Sequence, residues 1–191
     1  MNETRATYFC VDIETNGPVP SLYDMVSLGA VVVAPDERGE LSLGETFYVE
    51  LRPVAPLVDP GAVKIHGLDL EHLAREGKTR REALDLLTAW VERQTRGGTK
   101  PCFVGHNAPF DWSFVAWTYH AEGLPNPFGY KAMCTKSVAM GALGIHWLDT
   151  SKEVLSERLK LPAEDLEQKH RADYDALYQA KILMGLLALQ G

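Results

Sequence analysis

The chain has 191 residues and suits a single domain spanning 1–191, with 46% hydrophobic and 24% charged residues, the balance of a globular protein. No apolar run approaches the roughly 18–20 residues of a membrane span. The start, MNETRATYFC, lacks the basic-then-apolar order of a signal peptide, so a cytoplasmic protein with no membrane partner is expected. A net charge of −7 excludes coating of nucleic acid through a broad basic face, although cations held by carboxylates could still grip a polyanion locally. Cys10, Cys102 and Cys134 stand far apart in strand-like runs, with no CxxC pair, and read as reduced core thiols.

Ala6–Glu14 reads as a strand, ended by the turn cluster Thr15-Asn16-Gly17-Pro18. Met25–Ala34 is a second, nearly continuous apolar run, and Glu45–Arg52 a third strand, so the chain opens as an antiparallel meander. The proline-rich PVAPLVDPGAVKIHG that follows reads as a loop. Thr79–Thr95 has Ala83, Leu84, Leu87, Trp90 and Val91 at helical spacing, and Thr79 with Glu82 fits a capping box. Arg96–Lys100 is too short to separate domains. Pro101–Val104 reads as a buried strand that leads into Gly105-His106-Asn107. Pro109 fits a first helical turn, and Asp111–Glu122 continues as a helix. Tyr130–Cys134 is the last strand expected. Helices are expected over Lys136–Leu143, Ser151–Leu159 and Asp173–Leu189, the last with Asp173 as N-cap and Leu177, Ile182, Leu186 and Leu189 in the core. Strands first and helices alternating with strands later imply one mixed sheet with helices packed on it.

Five residues carry the chemistry. Asp12 and Glu14 are two apart on a strand, so both side chains share one face, roughly 6–7 Å apart. Carboxylates that close repel unless a cation lies between them or one is protonated. Asp111 lies just inside a helix N-terminus, where the helix dipole favours an acid, so it has a structural reading beside a metal-binding one. Asp175 falls in the first turn of the last helix, with the same two readings. His170 precedes that helix in an exposed loop, and an exposed histidine titrates near neutrality and can accept a proton from water. An all-oxygen set suits Mg²⁺ or Mn²⁺ better than Zn²⁺.

In this order the motifs resemble the DEDDh, or DnaQ-like, branch of the DEDD 3′–5′ exonucleases. The Asp-x-Glu motif matches Asp12-Ile13-Glu14, followed by Thr15-Asn16-Gly17. The second motif matches His106-Asn107-Ala108-Pro109-Phe110-Asp111, and the His-x4-Asp motif matches His170 and Asp175. The tyrosine position of the sister branch holds Arg171. Ile65-His66-Gly67 matches a further family segment, and the likeness runs from residue 7 to about 187. It departs at Cys134-Thr135, where many relatives carry Asp-Thr; that position holds no metal in the family.

The resemblance implies an α/β, ribonuclease-H-like fold: a mixed five-stranded sheet with helices packed on it. It implies that Asp12, Glu14, Asp111 and Asp175 hold two divalent cations and that His170 is the general base. It further implies hydrolysis at the 3′ end of single-stranded nucleic acid, DNA first and RNA as the alternative. Thr15, Asn16, His66, Asn107 and Phe110 are the expected substrate contacts. Phe110 also reads as helix packing and His66 as a loop cap. Some relatives dimerise or work with polymerases, so both associations stay open. A non-catalytic module that binds nucleic-acid ends competes with the enzyme reading, and intact motifs disfavour it. A structural protein with scattered surface acids is the third reading. Gly141–Thr150 and Pro162–Lys169 match nothing in the family pattern.

Overall fold

The structure, a computed structural model, describes residues 5–189. Five strands, β1 (Ala6–Thr15), β2 (Met25–Pro35), β3 (Leu41–Glu50), β4 (Lys100–Gly105) and β5 (Ala132–Cys134), form one sheet in the order β3-β2-β1-β4-β5. β1, β2 and β3 pair antiparallel, as the opening meander predicts; β4 runs parallel to β1, and β5 parallel to β4. A parallel pair needs a crossover connection. Here it is made by α1 (Pro60–His66), α2 (Leu70–Glu76) and α3 (Arg80–Gln94). α4 (Ala108–Ala121), α5 (Thr135–Leu143), α6 (Lys152–Arg158) and α7 (Ala172–Ala188) complete the chain. This is the ribonuclease-H-like mixed sheet.

β1 is central, and its period of two divides the core. Phe9, Val11 and Ile13 face a cluster built with α3 and α4, which includes all five expected α3 residues. Cys10 faces the other side, where Ala176, Ala180 and Leu183 of α7 pack on the sheet. Tyr178, Ile182 and Leu186, on the opposite side of α7, pack against Ala139 of α5 and Leu155 of α6. α7 is therefore apolar on both sides because it lies between the sheet and two helices.

Several local expectations are corrected. The proline-rich stretch contains α1: Asp59 accepts from the Gly61 N–H and Pro60 occupies the first turn, a start signal hidden among prolines. α2 is capped in the same way by Asp69. β3 begins at Leu41 and ends at Glu50, and β5 is shorter than Tyr130–Cys134, whereas α4 starts at Ala108 with Pro109 in its first turn, as expected. Asp173 is not an N-cap: α7 starts at Ala172, its cap residue Arg171 accepts no helix N–H through its side chain, and Asp173 lies in the first turn, where it accepts from the Arg171 guanidinium at 3.0 Å. Leu189 follows the helix and is exposed, whereas Ile182 and Leu186 are buried. Of the thiols, only Cys10 is fully buried. The Thr79–Glu82 capping box is present. No helix among the described residues is long and apolar enough to cross a membrane.

Candidate active site

Asp12 and Glu14 continue the α7-facing side of β1. β4 pairs with β1 only as far as Cys10, so the end of β1 extends past its parallel neighbour. The backbone N–H of Ile13 is satisfied instead by Asp111 Oδ1, at 3.2 Å, from the first turn of α4. That bond brings Asp111 to the Asp12 end of the strand. The pairing with β2 shifts register between Glu14 and Thr15, a bulge that re-aims the strand beside the acids.

α7 supplies the third motif through a close approach. Gly29 is the β2 partner of Asp12, and a Cβ on it would lie 2.2 Å from the Ala172 backbone. The absent side chain lets the start of α7 rest on the sheet beside Asp12. Asp175 Oδ2 accepts the His170 N–H at 2.8 Å, which fixes His170 in a left-handed turn with φ of 67°. Single ligand atoms of Glu14, His170 and Asp175 lie within 4.8 Å of one another.

All five motif residues line one cleft of about 370 Å³, shared with His106, Asn107, Phe110, Lys136, Lys152 and Lys169 among others. The scattered-acid reading is therefore excluded. Burial dominates the electrostatics. It pushes Asp12 up to about 7, with Lys152 and the Gln179 amide pulling it down and Asp175 adding to it. Glu14 is pushed up to about 9 by burial and then by Asp12 and Asp175. Asp111 is raised well above the usual carboxylate range by burial and by Asp12. His106 is lowered to about 4 by burial and the nearby lysines, so it is a neutral hydrogen-bonding group there.

The other expected contacts divide. Asn107, in a left-handed conformation with φ of 70°, stands at the N-cap position of α4 with no side-chain capping bond and lines the cleft. Phe110 lines the cleft and also an adjoining cavity of about 420 Å³, together with Ile13, Glu14, Thr15, Pro18 and Ile65. Thr15 turns its hydroxyl back to the Gly17 carbonyl at 2.9 Å. Asn16 is 1% exposed and lines neither space; its backbone ties the turn to Asp24 and Asp59. His66 accepts the Leu68 N–H at 3.0 Å, the loop-capping arrangement, and burial lowers its pKa.

Two groups at the site carry no clear sequence motif. Gln179 is fully buried; its amide nitrogen donates to Asp12 Oδ1 at 2.7 Å, and its oxygen accepts the His106 N–H at 3.0 Å. Its only sequence signal is position: it lies four residues after Asp175, on the same helix face. The second group is Lys152, ion-paired with Asp175 and 3.8 Å from Glu164. Its distance from the motifs along the chain leaves no local signal.

Residues 9–183 match a family model described as Exonuclease. The chain belongs to the DEDDh family of 3′–5′ exonucleases. This DEDDh exonuclease is 32% identical over 182 residues to the 3′–5′ DNA exonuclease Cap18 of Escherichia coli, covering 95% of the chain and 92% of the relative. It is 29% identical to ribonuclease T of Marinobacter nauticus, covering 93% of the chain and 80% of the relative. Its fold matches the nuclease domain of 3′hExo, a DEDDh member bound to rAMP, with a TM-score of 0.79 at 15% identity, covering 95% of the chain and 92% of that domain. At that identity the likeness carries the fold alone.

DEDDh exonucleases depend on divalent metal. The residues here fit such ions. The donors are carboxylates and one histidine, and the buried acids Asp12, Glu14 and Asp111 are held towards protonation. Their charged forms call for positive charge in the cleft, part of which Lys152 supplies.

Proposed function

We propose that residues 1–191 act as one catalytic unit that removes nucleotides from the 3′ end of single-stranded nucleic acid, with DNA the preferred substrate. The observation that carries this reading is the convergence of Asp12, Glu14, Asp111, His170 and Asp175 in one cleft. Asp12, Glu14, Asp111 and Asp175 would hold two ions, Mg²⁺ or Mn²⁺, with Glu14 and Asp175 nearest His170. When bound, the ions lower the pKa of water and offset charge developing on the phosphate.

The chain's own residues do the rest. His170 is exposed at the cleft and accepts the proton of the attacking water through its ring. Asp175 holds the His170 backbone and thereby the position of that ring. Gln179 and the Ile13 N–H orient Asp12 and Asp111, so the acids need not reorganise when substrate arrives. The adjoining cavity, with Phe110 at its border, is apolar enough to take a terminal base. Stacking there is worth about 1–3 kcal/mol and tolerates any base. A base seated in the cavity has left any pairing partner, which favours single-stranded ends.

DNA preference rests on the likeness to Cap18, named as a DNA exonuclease. The RNA-trimming alternative is favoured by the similarity to ribonuclease T over most of the chain. The test uses 5′-labelled single-stranded DNA and RNA of one sequence, with Mg²⁺ or Mn²⁺, a chelator control and the D12A and H170A variants. The expected result is a ladder shortening from the 3′ end, faster on DNA, lost with chelator and lowered by orders of magnitude in both variants. Wild-type rates in either variant remove that residue from the mechanism. A folded protein that shortens neither strand returns the chain to the end-binding module.

A further inference from the structure

The loop Pro162–Lys169 matches nothing in the family pattern, yet it reaches the cleft. Lys169 lines the cleft, and Glu164 lies just behind it with a side chain only 6% exposed. Both Glu164 carboxylate oxygens are buried and accept no hydrogen bond within the described residues. Their nearest partners are two ammonium groups: Lys152 at 3.8 Å and Lys169 at 3.5 Å. Lys152 also pairs with Asp175, and Lys169 also pairs with Glu153 at 3.2 Å. Burying a carboxylate is costly unless charge is placed around it. Glu164 thus acts as a post that holds two lysines at the cleft, beside the motif acids.

A counter-ion role for the lysines does not account for Glu164. If Lys152 served only to neutralise Asp12 and Asp175, its contact with Asp175 would suffice, and no further buried acid linking it to Lys169 would be called for. The arrangement sets fixed positive charge directly beside the metal-binding carboxylates, with Lys152 on Asp175 and Lys169 next to it through Glu164. A phosphodiester whose phosphorus lies at the acids would turn a non-bridging oxygen to the lysines. Lysine suits that contact, because its ammonium is a compact charge with three donors. An acidic chain with net charge −7 needs such a local site to hold a polyanion.

We propose that Lys152, held with Lys169 by the buried carboxylate of Glu164, is a phosphate-binding subsite for the 3′-terminal phosphodiester of the substrate, common to DNA and RNA. This rests on the exonuclease reading above. The subsite reads the backbone and no base, since phosphate contacts position the strand without specifying sequence.

The test measures equilibrium binding in Mg²⁺ of fluorescent single-stranded DNA by the H170A protein, across a range of salt. One oligonucleotide is all phosphodiester; the other carries an uncharged methylphosphonate at the 3′-terminal linkage. K152M is expected to weaken binding of the phosphodiester strand about tenfold. It is expected to lower the slope of log affinity against log salt by about 0.7, the value of one phosphate contact on a single strand. The parent should prefer the phosphodiester strand, K152M should lose about tenfold of that preference and keep only the part owed to the ions, and K152R should restore it. K169M gives the same readouts from the more exposed end of the cluster, should K152M not fold. A K152M protein that still discriminates between the strands as the parent does overturns the proposal. So does K152M with tighter Mn²⁺ binding and unchanged DNA affinity, which would make Lys152 a counter-ion of the acids. If the H170A parent binds no single strand and wild type shortens none, the exonuclease reading fails and this subsite with it; binding by the parent without a Lys152 effect sinks the subsite alone.

Discussion

Gln179 is the residue whose role is clearest from its contacts. Both ends of its amide are used, one on Asp12 and one on the His106 backbone, and the residue is fully buried. It joins the first motif to the second through the helix that carries the third. His106 extends the link, since its ring shares a 2.8 Å hydrogen bond with Thr135, the retained half of the Cys134-Thr135 pair. A Q179L substitution keeps similar bulk but withdraws the donor to Asp12. We expect hydrolysis to fall by about ten- to a hundredfold, the usual cost of losing a group that orients a metal ligand. Steady-state kinetics alongside a thermal melt checks it: an unchanged rate in a folded Q179L protein would leave the amide a purely structural link.

At the scale of elements, the meeting of α7 with the sheet decides whether a site exists. The start of α7 can sit beside Asp12 only because Gly29 offers no side chain and Ala176 and Ala180 are small. A Cβ at Gly29 would meet backbone atoms of Ala172 and Asp173, which cannot rotate away. G29A is therefore expected to cost about 1–3 kcal/mol as overpacking. It should also move Asp175 and His170 away from Asp12 and Glu14, so activity should fall at temperatures where the variant is still folded. Denaturant unfolding and hydrolysis rates measured together test this, and full activity in a stable G29A protein would show that α7 tolerates the shift.

For the whole molecule, the concentration of buried acid has a thermodynamic consequence. In the cation-free protein Asp12 rises from 3.8 to about 7 and Glu14 from 4.5 to about 9, burial being the first cause for each. Their folded pKa values lie above the unfolded ones, so the native state binds more protons than the unfolded chain between those limits. The stability they contribute is full below about pH 4 and is lost as pH rises through about 7 and then about 9. The melting temperature in chelator should therefore decline between about pH 5 and about pH 9. Added Mg²⁺ or Mn²⁺ should raise it most at the alkaline end, by binding the native state alone. D12N should flatten the lower half of that decline. Thermal melts in buffers of constant ionic strength would check this, and a flat or rising profile in chelator would show that the acids are better solvated than the fold implies.

Much of this was legible locally. The period of two along Val11–Glu14 placed both acids on one face, the α3 apolar residues matched its buried face, and Thr79 with Glu82 marked its start. Such signals need only neighbours a few residues apart, where backbone geometry alone determines which side chains share a face or reach a free N–H. α1 could be read by the same rule once Asp59-Pro60 is taken as a helix start rather than a loop. The sequence by itself therefore determined which acids and which histidine are available, the elements that carry them and the family resemblance. The tertiary structure decided the contacts between distant parts of the chain: the Ile13 N–H on Asp111, 98 positions apart, and the Gln179 amide on Asp12, 167 apart. It also decided that Asn16 and His66 are buried while three lysines line the cleft beside the acids. Those pairings depend on the angle at which a helix crosses a sheet and on where a glycine lets it come close, and neither is written in the spacing of residues along the chain.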